Sequence, residues 1–212
     1  MGRISRSDGA ITRARILEAA GTLIAQQGYA QTTNKEIARV AEVDLAAINY
    51  HFNGREGLYL AVLSEAHHYY LDGAELQALA DSPLTSEEKL EAFLEICLPR
   101  LNEKQSWHCR VYTRELLSPS SLFNDFMQTE GAGKRQAMHK LISQIAGLAE
   151  DDPLVLPCLL SIVGPCMMLM VSGRFTFSSL NGLAETMSRA ELVAYFKQFS
   201  LAGLSTLKKG GN

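Results

Sequence analysis

Between Pro153 and Gly173 the chain reads PLVLPCLLSIVGPCMMLMVSG, twenty-one residues without a charge. A run of that length either spans a bilayer, for which about 20 apolar residues suffice, or forms a helix buried on nearly all sides, in a core or at a subunit interface. Its composition favours protein as the surroundings. Pro157 and Pro165 interrupt it, and Ser161, Gly164 and Ser172 dilute it. Neither an aromatic belt nor a flanking basic cluster marks a membrane boundary. The expectation is a buried helix over about 154–174 and no membrane partner.

Helical spacing of apolar residues continues through the rest of the chain, and no strict alternation persists long enough for a sheet, so the fold class is all-α. Ile16, Leu17, Ala20, Leu23 and Ile24 form one stripe of a helix over 11–27 that stops at Gly28. Thr33 and Glu36 have the spacing of a capping box, which starts a second helix at 34–41 with Ile37, Ala38 and Ala41 inward. Asp44 is placed to cap a third helix that turns Ile48 and Phe52 inward. Three short helices, with a three-residue turn between the last two, make a helix-turn-helix. Asn53 and Gly54 break the chain before a longer helix, 56–72. Further helices are expected after DSPLTSEE to about Asn102, from Trp107 to near Pro119, and at 121–147 and 187–207, with a loose KKGGN tail.

The chain of 212 residues has a net charge of −3, but the charge is unevenly placed. Seven Lys/Arg against five Asp/Glu through Arg55 give +2 and leave −5 for the remainder, and Arg3, Arg6, Arg13 and Arg15 cluster at the start. A mildly basic head on an acidic body directs a polyanion to the head, although a solvated N-terminal arm has the same composition. Cys97, Cys109, Cys158 and Cys166 form no C-x-x-C pair and no secretory signal precedes them, which points to a reducing cytoplasm.

A short helix with small side chains can approach the floor of the DNA major groove. Ala46 and Ala47 permit that approach, Asn49 suits a base edge and Tyr50 a phosphate. Leu45 suits either a core or a thymine methyl. Thr33, Asn34 and Lys35 lie at a helix N-terminus, where free backbone N–H groups favour a phosphate. The same residues equally serve as caps and surface of a small bundle.

The order of residues adds to this. GYAQTTNKEIARVAEVDLAAINYHFNGREGLYLAVL resembles the DNA-binding segment of the TetR family of bacterial regulators, through Gly28, Tyr29, Thr32, Thr33, Ile37, Ala38, Ala41, Val43, Tyr50, His51, Phe52, Arg55, Glu56 and Leu58. The resemblance implies a DNA interface of Thr33, Asn34, Lys35, Leu45, Ala46, Ala47, Asn49, Tyr50, His51 and Arg55. Glu42 departs from the family's usual glycine, and a strained residue there costs on the order of 1 kcal/mol. Arg55 replaces the usual lysine and remains able to hold a phosphate. Asp44 would repel a phosphate and is expected to cap its helix instead.

The segment from Trp107 to Ser120, with Val163, Gly164 and Cys166, is similar to the C-terminal region of the CecR-type subgroup through Trp107, His108, Arg110, Arg114, Glu115, Leu116, Pro119 and Ser120. The resemblance implies a DNA-binding domain at 1–55 and an effector-binding and dimerisation domain at 56–212. It also implies a homodimer through the last two helices, a double-stranded DNA operator and a small-molecule effector. On a helix, His108, Tyr112 and Glu115 lie near one face, with Arg110 and Arg114 on an adjacent one. These and Trp107 could line an effector site with Met127, Met167 and Met170 as adaptable walls. Alternatively an internal Arg–Glu network fixes the helix packing, with Trp107 in the core.

Other chemistries fail on spacing. His67 and His68 diverge on a helix, unlike a zinc pair, and are expected at the surface. GAGKR at 131–135 lacks the first glycine and the final Ser/Thr of a phosphate loop, and no nucleophile elbow is present. No enzyme, cofactor or metal is expected. The expectation is a ligand-responsive transcriptional regulator, in the first place a repressor, with a helical sensor lacking a DNA role as the alternative.

Overall fold

The structure, a computed structural model, describes residues 6–98, 106–172 and 186–207. Among them are α1 (Arg6–Gln27), α2 (Asn34–Ala41), α3 (Leu45–Phe52), α4 (Arg55–Tyr70), α5 (Gly73–Asp81), α6 (Ser86–Cys97), α7 (Trp107–Leu117), α8 (Ser121–Thr129), α9 (Gly131–Ala146), α10 (Val155–Ser172) and α11 (Arg189–Leu207). The described residues contain no strand, so the chain is all-α. Arg3, the side chain of Arg6, the helix end near Asn102, Gly173 and the KKGGN tail lie outside the described residues.

Packing divides the chain into two units. The first, Met1–Tyr70 with Gln105–Gln128, joins α1–α4 to α7 and α8. Its core combines aliphatic side chains, among them Ile16, Ala20, Ile24, Ile48, Leu58, Val62, Leu63, Ala66 and Val111, with the aromatic rings of Phe52, Tyr59, Tyr112, Phe123 and Phe126, all buried. Full burial of each large aliphatic side chain contributes about 1.5–3 kcal/mol. α7 lies against both α1 and α4. The approach to α1 depends on Gly21, where an added Cβ would lie 2.4 Å from the Trp107 ring.

The second unit, Leu71–Lys104 with Thr129–Asn212, contains α5, α6 and α9–α11. Leu76, Leu79, Leu90, Phe93, Leu94, Leu141 and Ile142 fill its core. A buried lysine ties three helices together: Lys89 Nζ donates to the Ala80 carbonyl and to Gln144 Oε1, each at 2.8 Å. At the edge, Lys197 of α11 pairs with Glu87 and Glu91 of α6 at 2.9 and 2.7 Å.

Several boundaries differ from the periodicity. α1 starts at Arg6, five residues before the expected start at 11. α5 was not expected; Asp72 caps it by accepting from Ala74 N, so the chain turns at Leu71 rather than prolonging α4. Thr129, Gly131 and Gly133 have low helix propensity, and the expected helix at 121–147 divides at Glu130 into α8 and α9. α6 ends at Cys97 because Leu98, at ψ 120, precedes Pro99 and is driven out of the helical region. GAGKR forms the first turns of α9 rather than a loop.

The uncharged run forms α10 but is not buried on nearly all sides of this chain. Val155, Cys158, Ile162, Cys166, Leu169 and Met170 point inward, while Leu156, Leu160 and Met168 are exposed. Among the described residues no helix is long and apolar enough to cross a membrane.

Candidate nucleic-acid interface and effector residues

The helix-turn-helix is built by its caps. Thr33 takes an extended conformation before α2 and its hydroxyl accepts from Glu36 N at 3.2 Å. The expected reciprocal half of the capping box is not made, because the Glu36 carboxylate accepts from Gln27 Nε2 at 2.8 Å instead. Glu42 ends α2 in the left-handed conformation at φ 51, with Val43 N donating to the Ala38 carbonyl at 3.0 Å. That is a glycine's geometry, and Arg15 compensates in part by pairing with the Glu42 carboxylate at 3.0 Å. Asp44 caps α3 by accepting from Ala46 N at 3.1 Å, the role expected of it.

α3 is two-faced. Ile48 and Phe52 are buried against the head's core, while Leu45, Ala46, Asn49 and Tyr50 are exposed, Tyr50 at 83%. Leu45 therefore faces solvent rather than the core. Thr33 and Lys35 are exposed at the start of α2, and Asn34, Ala47 and His51 are half-buried beside them or on α3. His51 lies edge-on to Tyr50, ring centroids 4.9 Å apart. Arg13 covers the Phe52 ring at 5.0 Å, so part of the basic arm is held on α3.

Arg55 is engaged inside the unit rather than projecting freely. Its Nη2 donates to the carbonyls of Tyr29 (2.7 Å) and Ala30 (3.3 Å), and its guanidinium lies 4.6 Å from the Tyr29 ring centre. Tyr29 stacks on buried Tyr59, centroids 4.0 Å apart. The Tyr59 hydroxyl donates to Glu115 Oε1, and Glu115 Oε2 accepts from Ser120 N at 2.8 Å. Burial and the Glu115 carboxylate raise the Tyr59 pKa, keeping the phenol protonated. A continuous line of contacts thus joins α7 through α4 to the turn before α2.

This line changes the reading of three effector candidates. Glu115 has both oxygens occupied by Tyr59 and Ser120, so a Tyr–Glu pair takes the place of the expected Arg–Glu network. Arg114 packs on Gly28, where an added Cβ would meet its guanidinium at 2.7 Å. Tyr112 is buried among His67, Tyr70 and Phe123, and burial pushes its pKa up to about 12. His67, expected at the surface, is buried against Tyr112 and Phe126, whereas His68 is exposed.

Trp107, His108 and Arg110 do come together. With Glu18, Thr22, Ala25, Gln26, Tyr69 and Ser106 they line a cleft of about 360 Å³ in the first unit. Trp107 is mostly buried and its indole N–H donates to Glu18 Oε2 at 2.8 Å. Met127 is half-buried on α8; Met167 and Met170 belong to the second unit, half-buried and buried respectively. Glu18 and Tyr69, which sequence reasoning missed, carry no motif of their own; Glu18 sits one residue after an apolar stripe position and reads as ordinary helix surface.

Comparison with known proteins agrees with this architecture. Residues 16–62 match the family described as bacterial regulatory proteins, tetR family, and residues 86–204 match the C-terminal domain of the HTH-type transcriptional dual regulator CecR. A probable HTH-type transcriptional regulator, YttP of Bacillus subtilis, is 29% identical over 147 residues, 69% of either chain. A TetR-like regulator from Rhodococcus sp. RHA1 superposes with a TM-score of 0.66 at 16% identity, covering 96% of this chain and 99% of that one. FadR of Bacillus subtilis, solved with stearoyl-CoA, gives 0.65 at 15% identity over 90% and 98% of the two chains. At these identities the structural likenesses speak for the fold alone.

Proposed function

Because the chain belongs to the TetR family of transcriptional regulators and carries a CecR-type C-terminal domain, we propose that it represses transcription in the cytoplasm as a homodimer on a palindromic operator, which it leaves when a small effector binds. The observation that carries the DNA reading is α3, with a buried apolar face and an opposite face of Leu45, Ala46, Asn49 and Tyr50 open to solvent. Asn49 reads a base edge, Tyr50, Thr33, Asn34, Lys35 and His51 serve the backbone, and Ala46 and Ala47 let the helix sink into the groove. Arg55 contributes chiefly by fixing the Tyr29–Ala30 turn, with its remaining N–H groups free to meet a phosphate. The alternative of a sensor without a DNA role draws only on Glu42 and Asp44, and both act as caps.

The exposed apolar face of the second unit supports the dimer. Leu156, Leu160 (72% exposed) and Met168 of α10, with Tyr195 and Phe199 (67%) of α11, leave water only if another surface covers them. Gly164 and Gly203 have nothing within 4 Å of an added Cβ, which permits close helix approach. A two-fold pairing of α10 and α11 with their copies buries this face and gives the pair of α3 helices the two-fold symmetry of a palindromic operator. Function divides near residue 55, into a DNA-reading head (1–55) and an effector-binding and dimerisation body (56–212), whereas packing joins α4, α7 and α8 to the head.

The effector acts only by binding better to the conformer whose heads do not fit DNA, since equal affinity shifts nothing. The deciding experiment is binding of the full chain to its own upstream DNA across a salt series, against a random duplex of equal length. Selective binding with a steep negative salt slope is expected. Equal, weak binding to both duplexes, repeated with sequences selected from whole genomic DNA, would overturn the assignment of α3 to the groove.

A further inference from the structure

The cleft between α1 and the start of α7 takes no part in the DNA chemistry of the head. At about 360 Å³ it lies near the lower end of the roughly 300–1,000 Å³ typical of small-molecule sites. One wall is aromatic: His108 is stacked between Trp107 and Tyr69, with centroid separations of 3.7 and 4.2 Å. Tyr69 remains exposed at the rim. Burial lowers the His108 pKa against the pull of Glu65 and Glu18, so the imidazole is a neutral member of the stack.

Two charges of opposite sign border this wall. Glu18 uses Oε2 for the Trp107 indole, while its Oε1 has no hydrogen bond or ion pair among the described residues. Arg110 is exposed, and its guanidinium likewise has no such partner among them. A carboxylate and a guanidinium held on the same wall, yet not joined in an ion pair, are each open to an opposite charge. Ser106 Oγ and His108 Nδ1 in the lining are buried without a hydrogen-bond partner among the described residues, a condition that native structures seldom leave unmet.

We infer that this cleft binds an aromatic zwitterion of the aromatic α-amino acid class. The ligand's ring extends the stack on the exposed outer face of Tyr69, its ammonium meets Glu18 and its carboxylate meets Arg110. A ligand with only one charge leaves either Glu18 or Arg110 unanswered, and a purely apolar one leaves both. This inference extends the effector-controlled reading, but its test contains no DNA and so fails separately from that reading.

Trp107 is the only tryptophan in the chain, so its emission reports directly on the cleft. The full-length protein is titrated with phenylalanine and with tyrosine, and in parallel with phenylalanine methyl ester and N-acetylphenylalanine, using excitation that spares the ligands and calorimetry as a second readout. A saturable response to a free amino acid is expected, with affinity at least tenfold weaker for each blocked form. Arg110→Gln, at an exposed position, is expected to lower affinity for the free amino acid tenfold or more while its circular dichroism and unfolding midpoint stay unchanged. Glu18→Gln is read by calorimetry, because it also touches the indole. The inference is overturned by the absence of saturation with both amino acids, by equal affinity for either blocked form, or by unaltered affinity in Arg110→Gln.

Discussion

Removing one oxygen atom from the core of the first unit tests the line from α7 to the head. In Tyr59→Phe the ring, its burial and its stacking on Tyr29 at 4.0 Å all remain, and only the donor to Glu115 is lost. Glu115 is 5% exposed and keeps one other bond, from Ser120 N. Hydrogen bonds to charged groups contribute about 1.5–3 kcal/mol, and a buried carboxylate oxygen left without a donor sits at the upper part of that range. For a chain of about 150–250 residues each kcal/mol moves the midpoint by roughly 2–4 °C, so a fall of about 3–12 °C is expected. Calorimetry or urea unfolding measures it, and the cycle completed with Glu115→Leu isolates the pair. The double variant should lose much less than the sum of the singles, because replacing both partners leaves no orphaned charge. A loss under about 0.5 kcal/mol in Tyr59→Phe, or simple additivity in the cycle, would refute the claim that this pair anchors α7 to α4.

Four further outcomes follow from named geometry. Glu42→Gly relieves a left-handed residue, worth about 1 kcal/mol, and loses an exposed ion pair worth about 0–1 kcal/mol; urea unfolding should show a small net gain with operator binding intact. Lys134 is held by burial at a pKa of about 7, below its ordinary 10.5; between these values the unfolded chain binds more protons, so stability rises with pH. Lys134→Met should flatten that rise, stabilising most at pH 7 and below and least near 10.5, as read from midpoints across a pH series. Leu160→Glu combined with Phe199→Glu should convert the dimer to a helical monomer in sedimentation, since both side chains stand on the exposed apolar face. Asn49→Ala should relax base preference at one operator position by roughly 1–3 kcal/mol, while Tyr50→Phe should weaken binding to all sequences alike, both measured by competition binding.

The head was largely legible because its signals are local. Thr33, Asp44, Asn53 and Gly54 act within a few residues of themselves, so the caps and turns that bound α2 and α3 could be placed from the sequence. What spacing could not supply was the partner across the fold. Glu36 has the position of a capping-box carboxylate, yet Gln27, nine residues earlier, takes its oxygen. Arg114 and Glu115 stand beside apolar positions on a helix, as pocket-lining groups would, but their neighbours are Gly28, Tyr59 and Ser120. His67 reads as surface because polarity is judged residue by residue, whereas an aromatic cluster of Tyr112 and Phe126 encloses it. The uncharged run was legible as a buried helix only if the second surface is supplied by another chain, since Leu156 and Leu160 remain open in one copy.

Within the first unit the proposed ligand cleft and the head share one rigid element. Trp107 and Glu115 are eight residues apart on α7, about 12 Å at the rise of an α-helix. A ligand that displaces Trp107 therefore loads the Glu115–Tyr59 bond, and Tyr59 in turn supports Tyr29, on which Arg55 rests. Shifting a two-state equilibrium from 1:99 to 99:1 requires about 5.5 kcal/mol of differential binding. One charged hydrogen bond of about 1.5–3 kcal/mol cannot hold such a switch in place by itself. In a symmetric dimer the same bond occurs twice, and a concerted transition draws on both, bringing the sum to about 3–6 kcal/mol. In the proposed homodimer a concerted transition would draw on both copies of the bond, so two bound ligands together, rather than one alone, would supply the differential binding that it requires.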